Sequence, residues 1–79
     1  MKLAERIEAN PDVMLGKPVI RGTRVPVELI LRRISEGATE EALLASYPHL
    51  TRDDIRAAVA FAADAIANDE IVETVAHRA

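Results

Sequence analysis

Apolar residues recur at helical spacing in three parts of this chain and cluster more briefly in a fourth, N-terminal part. Val27, Ile30, Leu31 and Ile34 follow the i, i+3, i+4, i+7 pattern. They predict a helix over about residues 26–36, with Pro26 at its first position and Gly37 as a left-handed cap. Leu29 falls on the opposite side, among Arg32, Arg33 and Glu36. A second helix is predicted over 39–47, with Thr39 as N-cap, Glu40 and Glu41 suited to the helix dipole, and Leu43, Leu44 and Tyr47 facing inward. Pro48 stops it. The third, over 52–67, has the fullest start signal: Thr51 as N-cap, Asp54 three residues on, and Leu50 and Ile55 at the staple positions. Its stripe is Ile55, Ala58, Val59, Ala62 and Ile66, widened by Phe61 and Ala65. That arc exceeds what one core contact requires. Ala57, Ala60 and Ala67 on the far side fit either plain helix propensity or close approach by another helix.

Before the first helix the period changes. Arg6-Ile7-Glu8-Ala9 alternates as a strand does, and Asn10-Pro11 marks a turn. Val13-Met14-Leu15 is a short apolar run that is expected to pair with Val19-Ile20 across Gly16-Lys17. Gly16 and Gly22 each stand at the first central position of a possible type II′ turn. Pro18-Val19-Ile20-Arg21 reads as a strand, with Pro18 tolerated at its first residue. A β arm over 5–25 is too small to be stable alone, so it packs on the helices or on a second copy. The chain reads as a mainly α single domain over 1–67, followed by a tail over 68–79. In that tail Ile71, Val72 and Val75 form another amphipathic turn or await a partner.

Composition adds a dimer to this picture. A chain of 79 residues without cysteine has a marginal core and no disulfide or thiolate metal site to reinforce it. A homodimer using the arm around residues 13–25 and the apolar surface of the third helix is the expected remedy. No apolar run has membrane-spanning length and no signal-peptide pattern is present, so a cytoplasmic location is expected. The net charge of −3 conceals a basic segment. Residues 17–33 sum to +4 (Lys17, Arg21, Arg24, Arg32 and Arg33 against Glu28), whereas residues 34–79 sum to −6. A solvated surface and an anion-facing patch both fit those sums. Enzyme constellations are missing: Ser35 and Ser46 lack a nucleophile-elbow context, His49 and His77 lack local metal-ligand spacing, and Asp53-Asp54 are accounted for by a helix start. The chain therefore reads as a non-enzyme without catalytic residues, metal or cofactor.

The run Gly16-Lys17-Pro18-Val19-Ile20-Arg21-Gly22-Thr23-Arg24-Val25-Pro26-Val27, with Tyr47-Pro48-His49-Leu50-Thr51 and Asp54-Ile55 further on, resembles the bacterial family termed domain of unknown function 433. The resemblance covers about residues 7–66. Leu15 departs from it, since many members have a small residue there. That family is similar to VapB-type antitoxins encoded beside PIN-like ribonuclease toxins, and its fold resembles a helix-turn-helix (homeodomain-like or winged-helix-like). The resemblance implies an antitoxin: a dimeric repressor that associates with operator DNA and neutralises a PIN-like toxin. On that reading Lys17, Arg21, Arg24, Arg32, Arg33, Arg52 and Arg56 are the candidate DNA contacts, and Ile71, Val72, Val75 and Arg78 the candidate toxin contacts. The other reading is a helix-turn-helix-shaped module for protein contacts alone.

Overall fold

A computed structural model describes residues 1–68. Three short strands, β1 (Lys2–Ala4), β2 (Ile7–Glu8) and β3 (Val19–Ile20), precede three helices, α1 (Val27–Ser35), α2 (Glu40–Ser46) and α3 (Arg52–Ala67). The strands form one antiparallel sheet in the order β1-β2-β3, with Ile7 opposite Ile20 and Glu8 opposite Val19. The core is a single cluster of Ile7, Ile20, Val27, Ile30, Leu43, Leu50, Ile55 and Ala58. One residue from each of β2 and β3, Ile7 and Ile20, therefore completes a core that the helices build.

The helix ends follow their sequence signals. Thr51 and Asp54 form a reciprocal capping box: the Thr51 hydroxyl accepts from the Asp54 amide at 3.1 Å, and the Asp54 carboxylate accepts from the Thr51 amide at 3.0 Å. The Thr39 hydroxyl accepts from the Ala42 amide at the start of α2. At the end of α1, Gly37 has φ +96°, its N–H bonds the Ile34 carbonyl and the Ala38 N–H bonds the Arg33 carbonyl. This is a Schellman closure, which needs a residue free of Cβ strain at that position. Pro26 is the N-cap of α1 rather than its first helical residue. Its ψ of 144° keeps it extended, which lets the Val27 amide reach the Pro18 carbonyl.

The arm departs most from expectation. Val13-Met14-Leu15 does not pair with Val19-Ile20, because the chain reverses within the run itself. Met14, Leu15 and Gly16 all have positive φ (50°, 59° and 81°), and the Gly16 and Lys17 amides bond the Val13 and Met14 carbonyls. β3 pairs instead with β2, where Ile7 brings a buried side chain to the core. β1, which no alternation announces, adds the outer strand. Gly22 stands at the third position of a turn over residues 20–23, closed by the Thr23 amide on the Ile20 carbonyl, so its φ of +78° suits a type II turn rather than II′. The helical stripes are also narrower than predicted. Ile34 of α1 and Val59 and Ile66 of α3 are exposed, while Leu29 is half-buried.

Candidate functional site

Seven arginines and lysines were expected to face nucleic acid, and the structure divides them by pairing. Lys17 donates to Glu28, whose carboxyl is held below its ordinary pKa chiefly by that hydrogen bond and then by the Lys17 charge. Arg33 pairs with Glu36 and lies beside the Tyr47 hydroxyl, which is the main cause of its raised pKa. Arg52 reaches back from α3 to Glu40 and Glu41 at the start of α2, at 3.4 and 3.7 Å. Among the described residues Arg21, Arg24, Arg32 and Arg56 have no carboxylate partner within ion-pair distance.

Arg21 and Arg24 sit on a loop whose backbone is tied on all sides. The Arg21 amide bonds the Arg6 carbonyl at 2.8 Å, the Gly22 amide bonds the Glu8 carboxylate, and the Ile20 amide bonds the Val25 carbonyl. The Thr23 hydroxyl bridges the turn, donating to Ile20 and accepting from Val25. A loop held this way presents its cations from a fixed base. Arg24 then lines a groove with Arg32 of α1, and the groove's walls are Met14, Val25, Leu29 and Tyr47. Tyr47 ends α2 and is shared with a neighbouring depression that includes Thr23 and His49. Three of the four unpaired cations thus lie on the loop and α1, and two of them, Arg24 and Arg32, line a groove with the half-buried Tyr47. The inward side of Tyr47 follows the helical pattern and it packs against the core; the groove beside it does not show in the sequence.

The first turn of α3 is electrically different. Arg6, itself at φ +67°, donates to Asp54 at 3.2 Å and approaches Asp53 at 3.6 Å, so both carboxylates are drawn to the β1–β2 turn. With Arg52 engaged by Glu40 and Glu41, Arg56 is the unpaired cation that remains on the N-terminal half of this helix. Arg56 belongs to another surface, an apolar groove of about 480 Å³ lined by Ile34, Ala38, Leu43, Val59 and Ala63. The structure therefore does not bring the seven cations together: Arg24 and Arg32 share one groove, with Arg21 on the adjoining turn, and Arg56 opens onto a separate one. Ile71, Val72, Val75 and Arg78 lie outside the described residues.

No group of three or more His, Cys, Asp or Glu side chains among the described residues could hold a metal ion. No described helix is long and apolar enough to cross a membrane.

Comparison with known proteins places this architecture. The chain aligns with a crystal structure of a DUF433 member protein from Anabaena variabilis at a TM-score of 0.73 and 35% identity, over 91% of this chain and 68% of that one. It is 38% identical over 58 residues to the uncharacterized protein y4eO of Sinorhizobium fredii, a match that covers 73% of this chain but 26% of that relative. A 28-residue stretch is 54% identical to an uncharacterized protein of Archaeoglobus fulgidus, covering 35% of this chain and 78% of that protein. The family model described as "Protein of unknown function (DUF433)" matches residues 7–62, and the chain belongs to that family.

Proposed function

We propose that this domain is the antitoxin of a toxin–antitoxin pair, a dimer that associates with operator DNA and neutralises a PIN-like ribonuclease. The toxin comes from the family resemblance of the Gly16–Val27 motif; the nucleic-acid part is supported by the sorting of cations. Arg21 and Arg24 on a rigid loop and Arg32 on α1 are unpaired, whereas Arg52 and the acids of the first turn of α3 are engaged within the domain. In this proposal α2 and α3 make a helix-turn-helix-shaped pair joined through Leu43, Leu50 and Ile55, but α3 does not read bases. Its first turn would set Asp53 against phosphate. Backbone contact falls instead to Arg21, Arg24 and Arg32, which fix position on a duplex without specifying sequence.

Operator titrations at several salt concentrations test this reading. Changing Arg21 and Arg24 to Ala removes four cations from a dimer, so the log–log salt slope should fall in magnitude by up to ~3.6. Changing Arg52 and Arg56, titrated at a protein concentration that keeps the variant dimeric, should alter it less. A larger change from the second pair returns the contact to α3. Absence of salt-dependent binding by the unaltered protein favours the second reading, a protein-contact module, for which the satisfied, acid-bearing start of α3 is the supporting observation.

A further inference from the structure

We infer that α3 forms an antiparallel, two-fold symmetric contact with α3 of a second copy, centred near Ala60 and locked by two reciprocal Arg56–Asp64 pairs. This rests on the dimeric reading above and names the surface it uses.

One face of α3 is left over once the core is built. Ile55 and Ala58 point into the core, Ala57 and Phe61 pack against it, and Ala62 is half-buried. On the opposite face Arg56, Ala60, Ala63 and Ala67 follow one another at i, i+4, i+7 and i+11, and all are exposed. Along one side of that line stand Val59 and Ile66, 45% and 58% exposed, joined by Ile34 of α1 at 38%. These side chains and the groove beneath Val59 form a continuous apolar strip on a domain with few large residues to spare from its core.

Charge decides what covers the strip. The exposed face of α3 carries a cation in its N-terminal half, Arg56, and an acid in its C-terminal half, Asp64, and neither has an ion-pair partner among the described residues. They stand four residues before and four after Ala60. A two-fold axis perpendicular to an antiparallel helix pair maps each residue onto the one equally far beyond the centre. Centring on Ala60 therefore sets Arg56 of each copy beside Asp64 of the other, twice over. Such self-complementarity is what an isologous interface demands. The antiparallel arrangement also opposes the two helix dipoles favourably. Ala60 and Ala63 at the crossing leave room for the backbones to approach, so Val59, Ile66 and Ile34 can be covered from the side. Duplex DNA offers this face no match, because its apolar strip would lie against phosphates.

The test is a charge swap followed by sedimentation equilibrium on the full chain at low and high salt. The unaltered protein should be a dimer at micromolar concentration. Arg56→Glu and Asp64→Arg should each raise its dissociation constant roughly thirtyfold, since two exposed pairs become repulsive. The double variant should recover most of that loss. Both positions of change are exposed, and unchanged circular dichroism separates dissociation from misfolding. Dimerisation that the single variants leave untouched overturns this interface while sparing the dimeric reading. Weakening without recovery in the double variant overturns the reciprocal pairing. A monomeric unaltered protein removes the dimer and this surface together.

Discussion

The first turn of α3 and the turn at Met14–Gly16 both redirect the chain sharply, yet they are built in opposite ways. At α3 side chains close the helix start: Thr51 and Asp54 cap each other, and Arg6 adds a charge-assisted bond to a carboxylate that is almost wholly buried. At Met14–Gly16 two side-chain-bearing residues hold left-handed dihedrals, and Leu15 is 93% exposed with no packing to offset the strain. The first turn is held by side-chain caps; the second has only the Gly16 and Lys17 backbone bonds of its own and depends on its flanks, the Asn10–Val13 bridge before and the Pro18 carbonyl, bound to α1, after. Local chemistry fixes the first; tertiary closure imposes the second. A rigid start to α3 and a strained, outward-pointing loop then set which surface is rigid scaffold and which carries exposed groups.

Asp54→Ala should break this contrast most severely. It removes half of the capping box and strands the Arg6 guanidinium, for a loss of about 2 kcal/mol in urea-denaturation stability. Asp54→Asn, which retains the shape and an acceptor, should lose less. An Ala variant within error of the unaltered protein would mean that the α3 start is held by packing of Leu50 and Ile55 alone.

Leu15→Gly should sharpen the contrast from the other side. Little burial is lost and the left-handed penalty is relieved, so stability should rise by about 1 kcal/mol, measured by the same denaturation. A fall would place Leu15 in a contact that the isolated domain does not reveal. The smallest effect belongs to Lys17–Glu28, just beyond the strained turn. Because the folded-state pKa of Glu28 is depressed, chiefly by the Lys17 hydrogen bond, its contribution is present above the unfolded value and is lost as pH falls through the folded one. The stability difference between the unaltered protein and Glu28→Gln should therefore be found at neutral pH and shrink once pH drops below about 4.3.

Those same turns explain how much of the molecule was legible in its sequence. Thr51, Asp54, Thr39 and Gly37 act on neighbours within a few residues, so their motifs placed all three helices within a residue or so of their ends. Nothing in Met14 or Leu15 announces a left-handed conformation, and Gly16-Lys17 suggested the wrong hairpin because pairing partners are chosen by the core. Ile7, not Val13, is the residue the core buries beside Ile20. The basic segment was visible as a sum, but which cations stay unpaired was not. That depends on Glu28 meeting Lys17 across eleven positions and on Arg52 finding Glu40 across an interhelical turn. The apolar excess of α3 was legible as a wide arc; that its outer part carries Val59 and Ile66 became clear only once Ile55 and Ala58 had taken the core.

The bond from Arg6 to Asp54 spans 48 positions of a 79-residue chain. Closing so long a loop is entropically expensive until the intervening chain has shortened itself. The helices, built from contacts four residues apart, do that shortening. The long-range tie from the β1–β2 turn to the head of α3 is therefore a contact whose closure the helices make less costly.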